Sequence, residues 1–368
     1  MRSDVDRLFV RLDTPIHEVV KCIDRSGRLS IALLVDDNGR LLYTLTDGDI
    51  RRGILAGVAM NAPAERLLSS KAKMPHYAPV TASVGTKPDA LLALMREKAV
   101  RHVPLVDAEG RPTEVVILAD LLEPGARPLQ AVVMAGGFGA RLRPLTEDVP
   151  KPMLPVGGKP VMEHIINRLE KGGVRKIHVM THYKPEKIIE HFGDGRKFGV
   201  ELSYLDEEQP LGTAGALGTM PRPTETVLVI NGDILTDVSF DAMLDYHRET
   251  EAELTMAVRH YDIAVPYGVV ECKGPLVQAL SEKPKLSLFV NAGIYLIEPT
   301  VYQHIPVGER LDMTDLIQRL LDMGHRVASF PVVEYWLDIG RHDDYLQAQR
   351  YEGRNTETAT NQGEVDHP

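Results

Sequence analysis

Residues 129–160 read LQAVVMAGGFGARLRPLTEDVPKPMLPVGGKP. The run from Ala131 to Met134 is short, apolar and rich in β-branched residues, which is the pattern of a buried parallel strand. It enters Ala135-Gly136-Gly137-Phe138-Gly139, a glycine loop whose backbone N–H groups can approach a phosphate closely. Two cations follow, Arg141 and Lys151, on chain stiffened by Pro144, Pro150 and Pro152. A dinucleotide loop would need glycine at 142, where Leu142 stands. A phosphate loop ending in Gly158-Lys159 would need glycine at 153, where Met153 stands. Strand, loop and spaced cations therefore predict a triphosphate holder of another kind.

Outward from this stretch, the chain of 368 residues is long enough for two or three domains. Its composition, 43% hydrophobic and 26% charged, is that of a globular protein. A net charge of −10 argues against non-specific nucleic-acid binding, so anionic substrates must be gathered by a local basic pocket. Arg141, Lys151 and Lys159 could supply it. Only two cysteines occur, Cys22 and Cys272, which excludes a disulfide framework and points to a reducing, cytoplasmic compartment. The start MRSDVDRLFV is too charged for a signal peptide, and no apolar run approaches membrane-spanning length.

Residues 1–125 contain a repeat. Leu34-Val35-Asp36-x-x-Gly39-Arg40 recurs as Leu105-Val106-Asp107-x-x-Gly110-Arg111. Each copy predicts a hairpin, with a helix before it (Ile16 to Ile23, Pro88 to Lys98) and a helix after it, from Gly48 and from Ala119. Half-repeats of this size should pack as a pair. The pattern resembles a tandem of cystathionine-β-synthase-type (CBS) modules. The resemblance implies an adenine nucleotide as effector, with Thr46 and Asp49 at the ribose and phosphate. The second copy has Asp120, but Ile117 stands where the hydroxyl should be. The alternative is that the pair serves only oligomerisation or packing. Residues 123–128, EPGARP, read as the linker.

Beyond the loop, helices are expected over Pro160 to Lys171 and Pro185 to Phe192. Strands are expected over Ile177 to Thr181, Glu201 to Leu205 and Val227 to Ile230. This alternation predicts an α/β, Rossmann-like, mostly parallel sheet with ligands beyond the strands' carboxyl ends. Small residues at 212–215, in the stretch Glu207 to Gly215, would let a base or ribose lie against the backbone. Asn231-Gly232-Asp233 sets a carboxylate beside glycine, and Asp338 supplies a second. Two aspartates suffice for Mg²⁺, which keeps phosphate and water oxygens for its other positions.

The sequences GGxGxRLxPLT and KPMLPVGGKP resemble the signature of sugar-1-phosphate nucleotidyltransferases, and later motifs follow in family order: LGTAG, NGD, YGVV, EKP, NAGIY and YWLDIG. The resemblance covers about residues 129–350. It implies transfer of a nucleoside monophosphate from an NTP to a sugar 1-phosphate with Mg²⁺. Arg141 would grip the leaving phosphates, Lys151 the α-phosphate, and Asp233 and Asp338 the metal. Ala135, Gly136, Gly137, Gly139, Glu207, Gly212 and Thr213 would contact the nucleotide. Lys159, Gly268, Glu282, Lys283 and Asn291 would hold the sugar phosphate. LGTAG is most similar to the mannose-1-phosphate guanylyltransferases and favours GTP; CTP, UTP or dTTP, or a non-catalytic sensor of the same fold, are the alternatives. Expected boundaries are 1–125 for the CBS pair, 126–354 for the catalytic domain and 355–368 for a disordered tail. A homo-oligomer is expected, with neither nucleic acid nor membrane as partner.

Overall fold

The computed structural model describes residues 4–72, 74, 76–121, 129–207 and 209–351. The expected linker at 123–128, the tail at 355–368 and Glu208 lie outside the described residues. The chain divides into two compact units, Met1–Gly125 and Ala126–Pro368. Among the described residues no helix is long and apolar enough to cross a membrane.

The first unit holds two three-stranded sheets. One comprises β1 (Phe9–Val10), β2 (Ile31–Val35) and β3 (Leu41–Thr46); the other comprises β4 (Ala82–Ser83), β5 (His102–Val106) and β6 (Pro112–Ile117). The sequence repeat has a physical cause. Asp36 Oδ1 accepts the amides of Asn38 and Arg40 at 2.9 and 2.8 Å, and Asp107 Oδ1 accepts those of Glu109 and Arg111 at 3.0 and 2.8 Å. Each aspartate thus pins its own hairpin turn, closed by a glycine at positive φ. Ala32 and Leu34 of β2 pack with Val19 and Ile23 of α1 (Ile16–Arg25). Its other face, Ile31, Leu33 and Val35, packs on Val115 and Ile117 of the second copy, so the halves share a core. Among the described residues four further α-helices follow in the unit: α2 (Asp47–Leu55), α3 (Leu68–Lys71), α4 (Pro88–Lys98) and α5 (Leu118–Leu121).

The second unit is built on a seven-stranded sheet. Its strands, from one edge, are Glu201–Asp206, Lys176–Thr181, Gln130–Met134, Val227–Asn231, Lys285–Ile297, Leu254–Ala264 and Val327–Val332. Six run one way. Only Lys285–Ile297 is antiparallel, to both of its neighbours. In chain order these strands are β7 (Gln130–Met134), β8 (Lys176–Thr181), β9 (Glu201–Asp206), β10 (Val227–Asn231), β11 (Leu254–Ala264), β12 (Lys285–Ile297) and β13 (Val327–Val332). Alternate residues of β7 feed two cores. Ala131 and Val133 pack with Ile165, Ile166 and Leu169 of α6 (Val161–Lys171), while Val132 packs in a cluster with Leu316 and Leu320 of the helix Met313–Asp322. Helices therefore cover both faces, as the alternation of elements requires.

Two sequence expectations are revised. Asn291 lies within the antiparallel β12, not at a carboxyl end; Gly293 at φ +71 and a register shift bend the strand there. Asp338 lies on the short strand Trp336–Asp338, which pairs with Ile234–Thr236 in a separate two-stranded sheet.

Candidate active site

The carboxyl ends of β7 and β10 are aligned, with Asn231 opposite Met134, so the glycine loop and the Asn231-Gly232-Asp233 turn emerge together. Gly232 donates its amide to Met134 O at 2.8 Å. A β-carbon on Gly232 would lie 2.8 Å from that same oxygen, so only glycine allows the approach. Gly139, at φ +62, is equally constrained: a β-carbon would meet Thr146 Cγ2 at 2.9 Å and Lys151 Cβ at 3.3 Å. The two turns thereby bring Lys151 onto Asp233.

Lys151 is buried and its ammonium pairs with Asp233 Oδ2 and, at 3.7 Å, with Asp338 Oδ1. The pairing of Ile234 with Asp338 and the bond from Ile339 N to Asp233 O, 3.0 Å, fix the second carboxylate beside the first. Oδ1 of both aspartates is buried without a hydrogen-bond partner. Burial, and then the charge of Asp233, push the Asp338 carboxyl above the usual range; Lys151 and Arg141 pull against this. Lys151 and Arg141 leave the two carboxylates undercompensated, since Asp338 still stands above its usual range, and two buried oxygens without a hydrogen bond suit a cation. Among the described residues no group of three His, Cys, Asp or Glu gathers to hold a metal. The two-carboxylate set fits an ion that keeps phosphate and water oxygens. Arg141 is exposed, its guanidinium near Asp338 and beside Gly340.

Ala135 is buried, its amide bonded to Met180 O at 2.8 Å. A β-carbon on Gly136 would meet Glu207 Oε1 at 3.1 Å, so this glycine makes room for Glu207. The other Glu207 oxygen accepts Leu211 N at 3.0 Å. Gly137 differs: its φ is not positive, and a β-carbon would meet nothing within 4 Å. Nothing in the chain itself requires glycine there.

The small residues at 212–215 do not leave the backbone bare. β-Carbons on Gly212 and Gly215 would come within 2.5 Å of Asp312 Oδ1 and Glu309 O. Thr213 Oγ1 accepts Met313 N at 3.0 Å, so Thr213 caps the helix Met313–Asp322. These positions are small because segment 309–313 packs onto them.

The sugar-phosphate candidates separate into groups. Lys159 pairs with Glu163 at 3.2 Å at the start of α6. Gly268, Glu282 and Lys283 flank the exposed hairpin of Val269–Lys273 with Leu276–Ser281, and Glu282 and Lys283 lie 4.0 Å apart. Asn291 stands at the root of that arm, donating to the Tyr295 hydroxyl at 2.7 Å and accepting Gly293 N at 3.0 Å.

Several neighbours escaped the sequence reading. Trp336 donates its indole N–H to Ala292 O at 2.8 Å. Asn231 Oδ1 is a third buried, unpartnered oxygen, and a β-carbon on Gly293 would lie 2.6 Å from Asn231 Nδ2. Phe138, exposed on the glycine loop, meets His182 edge-on at 5.3 Å and Tyr183 at 5.6 Å. Asn231 was visible as the first residue of NGD; the others carry no local signal.

In the first unit, the amide of Thr46 donates to Asp49 Oδ2 at 3.1 Å, and the pair forms a capping box on α2. Asp49 is fully buried and also receives Lys71 Nζ and Arg52 Nη2, each at 2.9 Å. Burial alone would raise its pKa; Lys71 and Arg52 outweigh burial and hold the carboxyl below its usual range. The expected ribose clamp at Asp49 is thus a filled structural ion cluster. Asp120 is exposed on α5.

The model of the nucleotidyl transferase family matches residues 130–354, and that of the CBS domain matches residues 1–56 and 72–125. The chain belongs to the nucleotidyl transferase family and carries a tandem of CBS domains. It is 33% identical over 226 residues to a mannose-1-phosphate guanylyltransferase of Mycobacterium tuberculosis, covering 60% of this chain and 63% of that one. It is 34% identical over 244 residues to a UTP–glucose-1-phosphate uridylyltransferase of Synechocystis, with the same two coverages, 60% and 63%. The match thus spans less than two thirds of these relatives' length. Among solved structures, a putative glucose-1-phosphate thymidylyltransferase from Bacillus anthracis shares the fold, with a TM-score of 0.51 at 24% identity over 61% of this chain and 95% of that one.

Proposed function

We propose that the chain transfers a nucleoside monophosphate from an NTP, with GTP favoured, to a sugar 1-phosphate, releasing pyrophosphate. The observation that carries this reading is the buried Lys151 between Asp233 and Asp338, with an orphaned oxygen on each carboxylate. A phosphate oxygen of the sugar 1-phosphate attacks the α-phosphorus in line, and the bond to the pyrophosphate oxygen breaks. Both reactants are anionic, so catalysis here is positioning and charge neutralisation. Arg141, exposed at the rim, holds the leaving β- and γ-phosphates. Lys151 holds the α-phosphate. Gly137, with open space at its α-carbon, lets the nucleotide approach the backbone. Asp233 and Asp338 would hold Mg²⁺, which when bound supplies charge neutralisation at the phosphate oxygens. Lys159, Gly268, Glu282, Lys283 and Asn291 form the sugar-phosphate side.

The preference for GTP rests on two supports. Glu207 has a carboxylate that could accept from the N1–H and N2–H edge of guanine, and the guanylyltransferase relative is similar over 226 residues. UTP is the runner-up, supported by the uridylyltransferase relative. For the first unit, the CBS match supports an adenine nucleotide as effector, held otherwise than through Asp49. Two free cysteines and nucleotide substrates suit the cytoplasm.

The test is pyrophosphate release with each of GTP, CTP, UTP, dTTP and ATP against a panel of sugar 1-phosphates, with and without AMP. Release requiring both an NTP and a sugar 1-phosphate supports the reaction, and the strongest NTP fixes the base. Silence across the panel in folded protein, with AMP present, would favour the non-catalytic sensor.

A further inference from the structure

Just past the strands β7, β8 and β9, the chain sets three residues in one row. Met134 of β7 lies opposite Met180 of β8, and Thr181 of β8 lies opposite Asp206 of β9. The ladder continues beyond them: Ala135 N bonds Met180 O at 2.8 Å, and Glu207 N bonds Thr181 O at 2.9 Å. That register aligns Gly136, His182 and Glu207 at the carboxyl ends of three adjacent parallel strands, where ligands of such sheets sit. The side chains close on one another there. A β-carbon on Gly136 would lie 3.1 Å from Glu207 Oε1 and 3.3 Å from His182 Cβ, so both stand against the glycine loop. Phe138 of that loop, 48% exposed, meets the His182 ring edge-on at 5.3 Å.

The hydrogen bonds fix what His182 offers. Its Nδ1 lies 2.6 Å from the backbone oxygen of Glu207. A carbonyl oxygen only accepts, so Nδ1 carries the proton, and in the neutral imidazole Nε2 is then an acceptor. Glu207 Oε2 already accepts Leu211 N at 3.0 Å. Among the described residues, His182 Nε2 and Glu207 Oε1 have no hydrogen-bond partner.

We propose that His182 Nε2 is the second of two acceptors that read the donor base, beside Glu207 Oε1, and that together they select guanine. The inference rests on the nucleotidyl transfer proposed above and adds a residue that sets its base. Guanine presents two adjacent donors on one edge, N1–H and the N2 amino group. Uracil and thymine present one donor, N3–H, between two carbonyl oxygens. Adenine and cytosine present one amino group beside a ring-nitrogen acceptor. Two side-chain acceptors are therefore both satisfied by guanine alone. Any other base sets one of them against an acceptor of its own, which costs more than a missing contact. Glu207 leaves one of guanine's two donors to another group, since its Oε2 is turned to Leu211 N. Phe138 supplies an apolar surface beside the pair, against which a flat base can rest.

The test compares GTP with inosine triphosphate, ITP, which keeps N1–H and lacks the 2-amino group. Pyrophosphate release is measured for both and for UTP, CTP, dTTP and ATP, with Mg²⁺ and the most active sugar 1-phosphate. Nucleotide binding is followed by calorimetry. Wild type should favour GTP over ITP roughly tenfold in kcat/KM, the worth of one hydrogen bond in the site. His182→Phe keeps a ring beside Phe138 and removes the acceptor. It should bring the GTP:ITP ratio to about one, mainly by raising KM and Kd for GTP, because a contact to the base is made alike in ground and transition states. His182→Gln, which returns an acceptor oxygen, should restore part of the preference. If His182→Phe fails to fold, His182→Leu carries the test. A folded variant that keeps the wild-type ratio overturns the inference and leaves the reaction standing. So does a wild type that uses GTP and ITP equally, or that prefers another base. A wild type that releases pyrophosphate from no NTP overturns the reaction and this inference together.

Discussion

Each unit contains a buried lysine paired with an aspartate, and the two clusters behave oppositely. In the first unit one carboxylate, Asp49, meets Lys71 and Arg52 and is held below its usual pKa. In the second, two carboxylates share Lys151, one oxygen of each is orphaned, and Asp338 is pushed above its usual pKa. A saturated cluster stabilises a fold and asks for nothing more. An undercompensated one is held in place by the surrounding structure and is completed by a ligand. The contrast separates the two aspartate motifs better than sequence pattern does.

The largest effect should come from the unbalanced side. Asp233→Asn should lower kcat/KM about a thousandfold or more, as loss of a metal ligand does, with an unfolding midpoint no lower than wild type. Next in size, Asp49→Ala should strand Lys71 and Arg52 and cost about 3 kcal/mol in denaturant unfolding. Turnover per folded molecule should be unchanged in the absence of adenine nucleotide. An Asp49→Ala protein as stable as wild type would remove the contrast.

The glycine loop sharpens the same comparison. Gly139→Ala must adopt φ +62 and press on Thr146 and Lys151, so it should lose about 1–2 kcal/mol of stability. Gly137→Ala meets nothing in the chain. It should unfold as wild type does while kcat/KM falls roughly tenfold, because its methyl intrudes on the nucleotide.

The smallest effect is in pH. The contribution of Asp49 is complete above the ordinary carboxylate pKa and is lost as pH falls through its depressed folded value. Asp338 has the opposite sign: metal-free protein gains stability as pH falls through its raised value. Asp338→Asn should abolish that gain and raise the metal-free unfolding midpoint near neutrality. A midpoint unmoved by Asp338→Asn would mean that Lys151 alone compensates both carboxylates.

Much of this was legible from sequence where the signal is local. Pro185–Phe192 and Pro88–Lys98 fall where proline opens and apolar spacing continues. The repeat at Asp36 and Asp107 reflects one turn built twice, and β7 with its loop lies where the apolar run meets glycine. What failed depends on partners far along the chain. Lys71, which fills Asp49, is 22 residues from it, and the Thr46–Asp49 spacing fits a helix cap as well as a ribose clamp. The smallness of Gly212 and Gly215 answers to Glu309 and Asp312, about a hundred residues on. Neither the antiparallel direction of β12 nor the separate sheet that carries Asp338 leaves a mark in composition or periodicity. The core four, Arg141, Lys151, Asp233 and Asp338, were found from the family pattern, and the fold brings them to one place.

The most direct test of the account is pyrophosphate release, with Mg²⁺, from the NTP and sugar 1-phosphate that the panel finds most active, by wild type and by folded Asp233→Asn side by side. The account predicts release by the wild type that needs both substrates and the metal, and its near-complete loss in the variant. Equal release by both proteins would contradict the assignment of the active site to the Lys151–Asp233–Asp338 cluster.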